Sequence, residues 1–151
     1  MTFVCFVCFV ADLSVAQLPP AVTVHGLGQA KTALAPNLPV LLLSAEGAAA
    51  YAGAAWWRAM IGAALEGRHA PDALDCSDLA GRALEALHCG CRIIILHPCP
   101  AYPAIVERAM VQHAGAALVL SRRPLSLDLD HPGAHRRLEP WLRGDSDPSV
   151  G

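Results

Sequence analysis

A strand-like run that ends in two glycines is the first place where residue types suggest a binding site. The run Val-Thr-Val-His-Gly-Leu-Gly occupies positions 22–28. Glycines after a strand let the backbone approach a pyrophosphate, which the amides of the following helix then receive. Glu46, about twenty residues beyond Gly26, stands where an acid would hold ribose hydroxyls. Because Lys31 replaces a third glycine, the fragment fits either a nucleotide or dinucleotide site or a plain tight turn.

A cysteine and a histidine lie close together in the run His-Pro-Cys-Pro at positions 97–100. Cys99 is placed just ahead of a predicted helix, where the helix dipole and free amides activate a thiol. His97, or His25 from a neighbouring strand end, would serve as its base. The alternative is a buried thiol in a turn stiffened by prolines. These three residues are the candidate catalytic residues.

Acidic and thiol-bearing residues suggest two further kinds of site, an acidic metal or proton-transfer site and a zinc site. Asp75 and the Ser77-Asp78 pair could bind a metal or exchange protons, but helix capping by one of the pair explains them more simply. Cys5 and Cys8 would point to opposite faces of a strand, whereas zinc needs convergent thiols, with a second pair such as residues 89 and 91 nearby. The sequence therefore predicts no metal site, and free thiols in a reducing compartment.

These candidates must be positioned by regularly alternating strands and helices. Strands are predicted at residues 22–25, 39–44, 73–76, 92–96 and 116–120, and helices at 28–35, 47–67, 79–88 and 103–115. Such alternation predicts an α/β fold: a three-layer, doubly wound, mostly parallel five-stranded sheet with Rossmann-like or flavodoxin-like strand order, in a single domain. Residues 1–20 are predicted as an apolar extension, 21–124 as the core, and 125–151 as a polar extension that docks in part through Leu138, Trp141 and Leu142 and is mobile at its end.

Parallel strands end at one edge of a sheet, and ligands bind beyond that edge. The predicted ligand-binding residues follow from this placement: Gly26, Gly28, Lys31, Ser44, Glu46, Ser77 and His97. The function predicted from them is binding of a small anionic or nucleotide-like ligand, with chemistry undetermined.

Composition narrows the classes of partner. The chain has 151 residues, 54% of them hydrophobic, and a formal net charge of −2. Without a basic stripe, nucleic-acid binding has no electrostatic basis. The apolar run at positions 1–10 is too short to span a bilayer and lacks a preceding basic residue, so we expect a cytoplasmic protein. Secretion through residues 1–16 is the alternative, because Ser14-Val-Ala16 resembles a cleavage site.

The adjacent tryptophans Trp56 and Trp57 support an alternative function. Neighbouring helix positions are about 100° apart, so one ring is expected to pack on the sheet and the other to lie at a rim or interface. Together with the tail around Trp141, this predicts a non-catalytic oligomerisation or adaptor module, for example a homodimer.

Overall fold

Apolar runs and alanine-rich segments alternate along residues 18–145, which are the residues that the computed structural model describes. The strands are β1 (Ala21–Val24), β2 (Leu41–Ser44), β3 (Asp72–Asp75), β4 (Ile93–Ile95), β5 (Leu118–Leu120) and β6 (Ser126–Asp128). The helices are α1 (Leu27–Leu34), α2 (Ala48–Tyr51), α3 (Ala54–Leu65), α4 (Ala80–His88), α5 (Tyr102–Gln112) and α6 (Ala134–Leu142). The predictions for positions 1–17 and 146–151 lie outside the described residues.

The strands form one sheet in which every pair is parallel, in the order β5-β4-β3-β2-β1-β6. The predicted α/β class with a parallel sheet is therefore confirmed. The predicted count of five strands is wrong, because residues 126–128 add a sixth strand beside β1. The order is neither the Rossmann-like nor the flavodoxin-like order that we expected, because β1 to β5 follow one another across the sheet in a single direction.

The described helices pack on one face of the sheet, called here the helix face. Side chains alternate between the faces along a strand, and the buried cluster on this face joins residues such as Val22, Leu42 and Ile94 to residues from all six helices. Right-handed crossovers between strands that advance in one direction place every connecting helix on the same side. Within residues 18–145 the expected three layers are therefore reduced to a sheet and one helical layer.

The opposite face, called here the second face, has its own buried cluster. Its members are all apolar: Ala21, Leu41, Leu43, Ala73, Ile93, Ile95 and Leu120. The connection of residues 121–125 runs from β5 at one edge of the sheet to β6 at the other. Its Arg123 bonds Thr23 and Asp75. These two residues lie two positions after Ala21 and Ala73 and therefore point to the same face, the second face.

Residues 47–67, predicted as one helix, form α2 and α3. Gly53 separates them with φ of 86°, a backbone conformation that glycine adopts readily and other residues rarely do. The break lets α2 remain at the carboxyl edge of the sheet while α3 runs back along the helix face.

The adjacent tryptophans of α3 divide as helix geometry predicts. Trp57 is 0% exposed, and its indole N–H donates to Asp72 Oδ1 at 2.9 Å. Arg58 pairs with the same carboxylate at 3.1 Å. Trp56 is 41% exposed. The prediction of one buried and one rim ring is confirmed.

The segment after Pro124 contributes a strand and a helix. β6 extends the sheet beside β1, and α6 buries Leu138 and Leu142 in the helix-face cluster. Trp141 donates its indole N–H to the carbonyl of Ala21 at 2.8 Å. All three side chains thus pack against the described fold, and the segment adds a strand to the sheet that the sequence did not reveal.

Candidate functional site

The carboxyl edge of the sheet gathers the polar loops, because all strands point the same way. The loops at residues 25–28, 44–47, 75–78, 97–100 and 121–124 all follow strands that end at this edge. A sixth loop, residues 129–133, follows β6 beside the loop that follows β1. The edge divides into a flank at β1 and β6 and a centre at β2 and β3.

A histidine–aspartate pair occupies the flank. His25 Nε2 lies 2.8 Å from Asp128 Oδ1 and 3.7 Å from Asp130 Oδ2. Gln29 links the two loops, since it accepts from the backbone N–H of His25 and donates to Asp130 Oδ1. The strand register pairs Thr23 with Asp128. His25, two residues after Thr23, therefore emerges from the sheet beside Asp128. The sheet thus holds an imidazole with an orienting carboxylate, the arrangement that a general base requires.

The Asp128 carboxylate is held in its ionised form. Partial burial raises its pKa, but the backbone N–H of Asp130 and the imidazole of His25 outweigh burial and leave the pKa below its ordinary value. An ionised Asp128 fixes one ring nitrogen of His25. No described residue hydrogen-bonds the other, Nδ1, so that nitrogen is available to a ligand.

The first turn of α1 lies next to this pair and has no side-chain cap. Gly26 occupies the N-cap position in an extended conformation, and the first turn contains no acidic residue. A Cβ added at Gly26 or at Gly28 would meet no atom within 4 Å. The backbone amides at the start of a helix carry partial positive charge and need acceptors. This loop therefore leaves room for an anionic group beside His25.

Two of the predicted ligand-binding residues, Lys31 and Ser44, are paired within the fold and do not line an open site. Lys31 is in the last turn of α1, pointing to the opposite end of the helix, and pairs with Glu66 at 2.8 Å. Ser44 is fully buried; its hydroxyl donates to the carbonyl of Ala45 and accepts from the N–H of Asp75. Glu46 is exposed in the loop after β2.

Ser77 and His97 are brought together at the centre of the edge. The His97 N–H donates to the Ser77 carbonyl at 2.7 Å, and the Ser77 N–H donates to Asp75 Oδ1 at 2.8 Å. Ser77 has φ of 51°, which serine rarely adopts. The prediction that Ser77 or Asp78 caps α4 is wrong: Leu79 occupies the N-cap position, and no side chain caps that helix.

Cys99 does not meet the predicted base His25. Three strand spacings separate β1 from β4, or about 14 Å across the sheet. Cys99 is half-buried against the helix-face cluster, and its carbonyl accepts from Tyr102 at the start of α5. Pro103 lies in the first turn of that helix, where its missing N–H costs no helical hydrogen bond. His97 remains near in sequence, but no hydrogen bond joins its ring to Cys99 among the described residues.

Arg123 closes the centre of the edge from the second face, and sequence reasoning missed it. Its guanidinium donates to Asp75 Oδ2 at 2.6 Å, to Thr23 Oγ1 at 3.2 Å and to the Ser44 carbonyl at 2.9 Å. Thr23 also bonds the hydroxyl of Ser126 at 2.8 Å. The Asp75 side chain is 0% exposed and that of Arg123 is 21% exposed. These groups therefore satisfy one another and join β1, β2, β3 and β6.

The described cysteines are free thiols, two of them chemically inert. Burial raises the pKa of Cys76 and of Cys91 to about 12, with like-charged neighbours adding to the effect. Cys89 is exposed. Cys5 and Cys8 lie outside the described residues. Within positions 18–145 no group of three or more histidine, cysteine or acidic side chains is arranged to hold a metal ion.

Comparison with known proteins leaves the function to be argued from this geometry. No known family matches the sequence, and no curated protein is detectably similar to it. Among residues 18–145, no helix has the length and apolar character needed to cross a bilayer.

Proposed function

We propose that this protein binds a small anionic or nucleotide-like ligand at the β1–β6 flank of the carboxyl edge. The observation that carries the proposal is the loop after β1, where an oriented His25 adjoins an uncapped helix start with open space at Gly26 and Gly28. Phosphate and carboxylate groups bind at helix N-termini because the backbone amides and the helix dipole both favour negative charge.

The neighbouring carboxylates refine the class of ligand. Asp128 is committed to His25, whereas Asp130 is 63% exposed and offers an oxygen beside the site. A carboxylate at this place repels a bare anion but accepts hydrogen bonds from hydroxyl groups. A ligand that carries hydroxyls next to its anionic group, such as a sugar phosphate or a nucleotide, satisfies both features.

Of the residues predicted from sequence, Gly26 and Gly28 form the site proposed here, with His25 added from the catalytic candidates. Glu46, Ser77 and His97 belong to neighbouring loops of the same edge. Lys31 and Ser44 are left out, because each is already paired within the fold.

A matched pair of glycine substitutions tests the proposal. Gly28 and Gly81 are the second residues of α1 and α4, both uncapped helices, and neither has an atom within 4 Å of an added Cβ. Gly28→Glu and Gly81→Glu therefore place the same carboxylate at two equivalent positions, where it favours the helix but repels a bound anion.

The measurement is a thermal-shift screen of the full chain against inorganic phosphate, sugar phosphates, mononucleotides and dinucleotides. A ligand at a hundred times its Kd adds about 2.7 kcal/mol of stability, which at about 2–4 °C per kcal/mol gives a readily measured shift. We expect Gly28→Glu to abolish the shift and Gly81→Glu to preserve it. The converse pattern would move the site to the depression at residues 78–82 and 85, and no shift with any compound would refute anion binding.

A second candidate function rests on apolar side chains at the helical rim of the same edge. Tyr51, Trp56 and Leu79 are 71%, 41% and 42% exposed, and they lie on α2, on α3 and at the start of α4, which pack together. Aromatic residues of this kind are enriched in interfaces. We propose a second copy of the chain as the occupant. Light scattering should then show a dimer that Trp56→Ser dissociates. Met110→Ser, at an exposed position of α5, should leave the dimer intact. A monomer at high concentration would exclude this function.

A further inference from the structure

The histidine of the β1–β6 flank has one ring nitrogen paired and the other open. His25 Nε2 lies 2.8 Å from Asp128 Oδ1 and 3.7 Å from Asp130 Oδ2, so both carboxylates meet the same nitrogen. Within residues 18–145, no side chain or backbone group hydrogen-bonds Nδ1. The His25 side chain is 32% exposed, and a Cβ added at Gly26 would meet no atom within 4 Å. The loop around the ring is therefore open to a small molecule.

The Asp128 carboxylate decides which ring nitrogen carries the proton. Partial burial raises the pKa of Asp128, but the Asp130 N–H and the His25 ring lower it further, so the carboxylate is ionised at neutral pH. An ionised carboxylate only accepts hydrogen bonds, so Nε2 is the donor of this pair. In the neutral ring Nδ1 therefore holds a lone pair and is the nucleophilic nitrogen. Gln29 steadies this arrangement, since it accepts from the His25 backbone N–H and donates to Asp130 Oδ1.

The start of α1 supplies what a phosphoryl group needs beside such a nucleophile. Gly26 is the N-cap residue, no side chain caps the helix, and its first turn contains no acidic residue. The backbone amides of that turn favour the negatively charged oxygens of a phosphoryl group. Because His25 directly precedes the N-cap residue, a phosphoryl group held by these amides would lie next to the imidazole.

We propose that His25 is a phosphoryl acceptor whose Nδ1 takes the phosphoryl group of an acyl phosphate. The inference rests on the proposed function, since it names a ligand class and a reaction for the same site. The Nδ1 lone pair forms the N–P bond while the P–O bond to the acyl group breaks, and the carboxylate leaves with that electron pair. Asp128 keeps the Nε2 proton in its hydrogen bond and balances the positive charge that the ring acquires.

The pairing of Nε2 with Asp128 also selects the class of donor. The neutral ring keeps its one proton in that hydrogen bond and has none to give to a leaving group. The donor must therefore have a leaving group that departs unprotonated, as a carboxylate does and an alkoxide does not. Sugar phosphates and nucleoside monophosphates, which would leave as alkoxides, are expected to bind without transfer.

Labelling of the full chain with acetyl phosphate tests the inference. After handling at mildly alkaline pH, where phosphohistidine survives, mass spectrometry should map one phosphoryl group to His25 among the seven histidines of the chain. The bond should be labile to acid and resistant to hydroxylamine, which cleaves aspartyl phosphates, and phosphorus NMR should identify the Nδ1 isomer. Label on Nε2, on a carboxylate or spread over several histidines would overturn the inference.

Three variants show whether the label depends on the histidine–aspartate pair. His25→Gln should abolish labelling, whereas His131→Gln, at an exposed histidine of the neighbouring loop, should retain it. Asp128→Asn should slow labelling about 10–100-fold, because a hydrogen bond to the charged ring is weakened, without reducing the thermal shift with inorganic phosphate. An equal loss of labelling and of phosphate binding in Asp128→Asn, or an unchanged labelling rate, would overturn the role of Asp128. If a variant fails to fold, mapping of the label on the unsubstituted chain decides the question.

The two proposals for this site fail separately. A thermal shift with inorganic phosphate but no labelling by acetyl phosphate would overturn the phosphoryl-acceptor role and leave anion binding in place. Labelling of His25 Nδ1 without such a shift would support the acceptor role and refute stable binding of inorganic phosphate. Absence of both a shift and a label would overturn both proposals.

Discussion

Replacing Arg123 by methionine should be among the most destabilising single changes in the protein. The guanidinium is the charged partner of Asp75, whose side chain is fully buried, and it makes three hydrogen bonds to three strands. Methionine preserves most of the volume and removes the charge. Loss of one partner from a buried ion pair costs about 3–5 kcal/mol, because the other charge stays buried without compensation.

The structure places the expected value at the lower end of that range. Asp75 keeps the hydrogen bond from the Ser77 N–H, and Thr23 keeps its bond to Ser126. Arg123 is itself 21% exposed, so water can enter from its side. We therefore expect a loss of about 3 kcal/mol in the free energy of unfolding, which corresponds to a fall of roughly 6–12 °C in Tm.

Urea denaturation of the full chain measures this loss, and the neighbouring arginine is the control. Arg122 is exposed, so Arg122→Met should change stability by less than about 0.5 kcal/mol. Asp75→Asn should cost less than Arg123→Met, because the guanidinium left behind reaches water whereas the carboxylate does not. The reasoning would be refuted if Arg123→Met were as mild as Arg122→Met, or if Asp75→Asn were the more damaging of the two.

Three further predictions follow from other contacts. Asp128 has a pKa below its ordinary value, so its contribution to stability is present above about pH 4 and is lost as the pH falls through the folded-state pKa. Asp128→Asn should therefore reduce the slope of unfolding free energy against pH in that acid range, measured by urea titration. Trp57→Phe should lose about 1–3 kcal/mol because it deletes a buried hydrogen bond, whereas Trp56→Phe should be nearly neutral in the same assay. Gly47→Ala should lower the free energy of unfolding by about 1–2 kcal/mol, because φ is 65° and an added Cβ would lie 3.2 Å from the Ser77 hydroxyl. Gly62→Ala, at an exposed helical position with open space around it, should raise the free energy of unfolding by about 0.5–1 kcal/mol.

The strands and helices were largely predictable because local patterns specify them. The continuous apolar run at β4 can only be satisfied by burial on both faces, and the proline in the first turn of α5 lies where its missing N–H has no cost. Strand order was not predictable, because an alternating pattern is the same for every order in which parallel strands can be arranged. The three residues of β6 were missed for a related reason: alternation over Ser126-Leu-Asp128 is too short to stand out from a polar segment.

The candidate site was predictable as a location but not as a set of contacts. Polar loops at strand ends identified the carboxyl edge, and His25, Gly26 and Gly28 lie there. Lys31 was misplaced because a residue four positions into α1 lies about 6 Å along the axis from the helix start, away from the edge. The groups that fix His25 and Asp75 come from residues about 100 and about 50 positions away along the chain, so sequence spacing held no sign of them.

The return of the chain from β5 to the opposite side of the sheet, where β6 pairs with β1, explains why the proposed site lies at a flank of the carboxyl edge. It brings β6 beside β1, which sets Asp128 against His25. The same connection carries Arg123 across the second face, where its guanidinium hydrogen-bonds the polar groups at the centre of the edge. The centre is thus closed by internal pairs, while the flank keeps a free imidazole nitrogen and an uncapped helix start. Arg123→Met should consequently affect stability far more than affinity, and Gly28→Glu should affect affinity without loss of stability, so that the scaffold and the site can be tested separately.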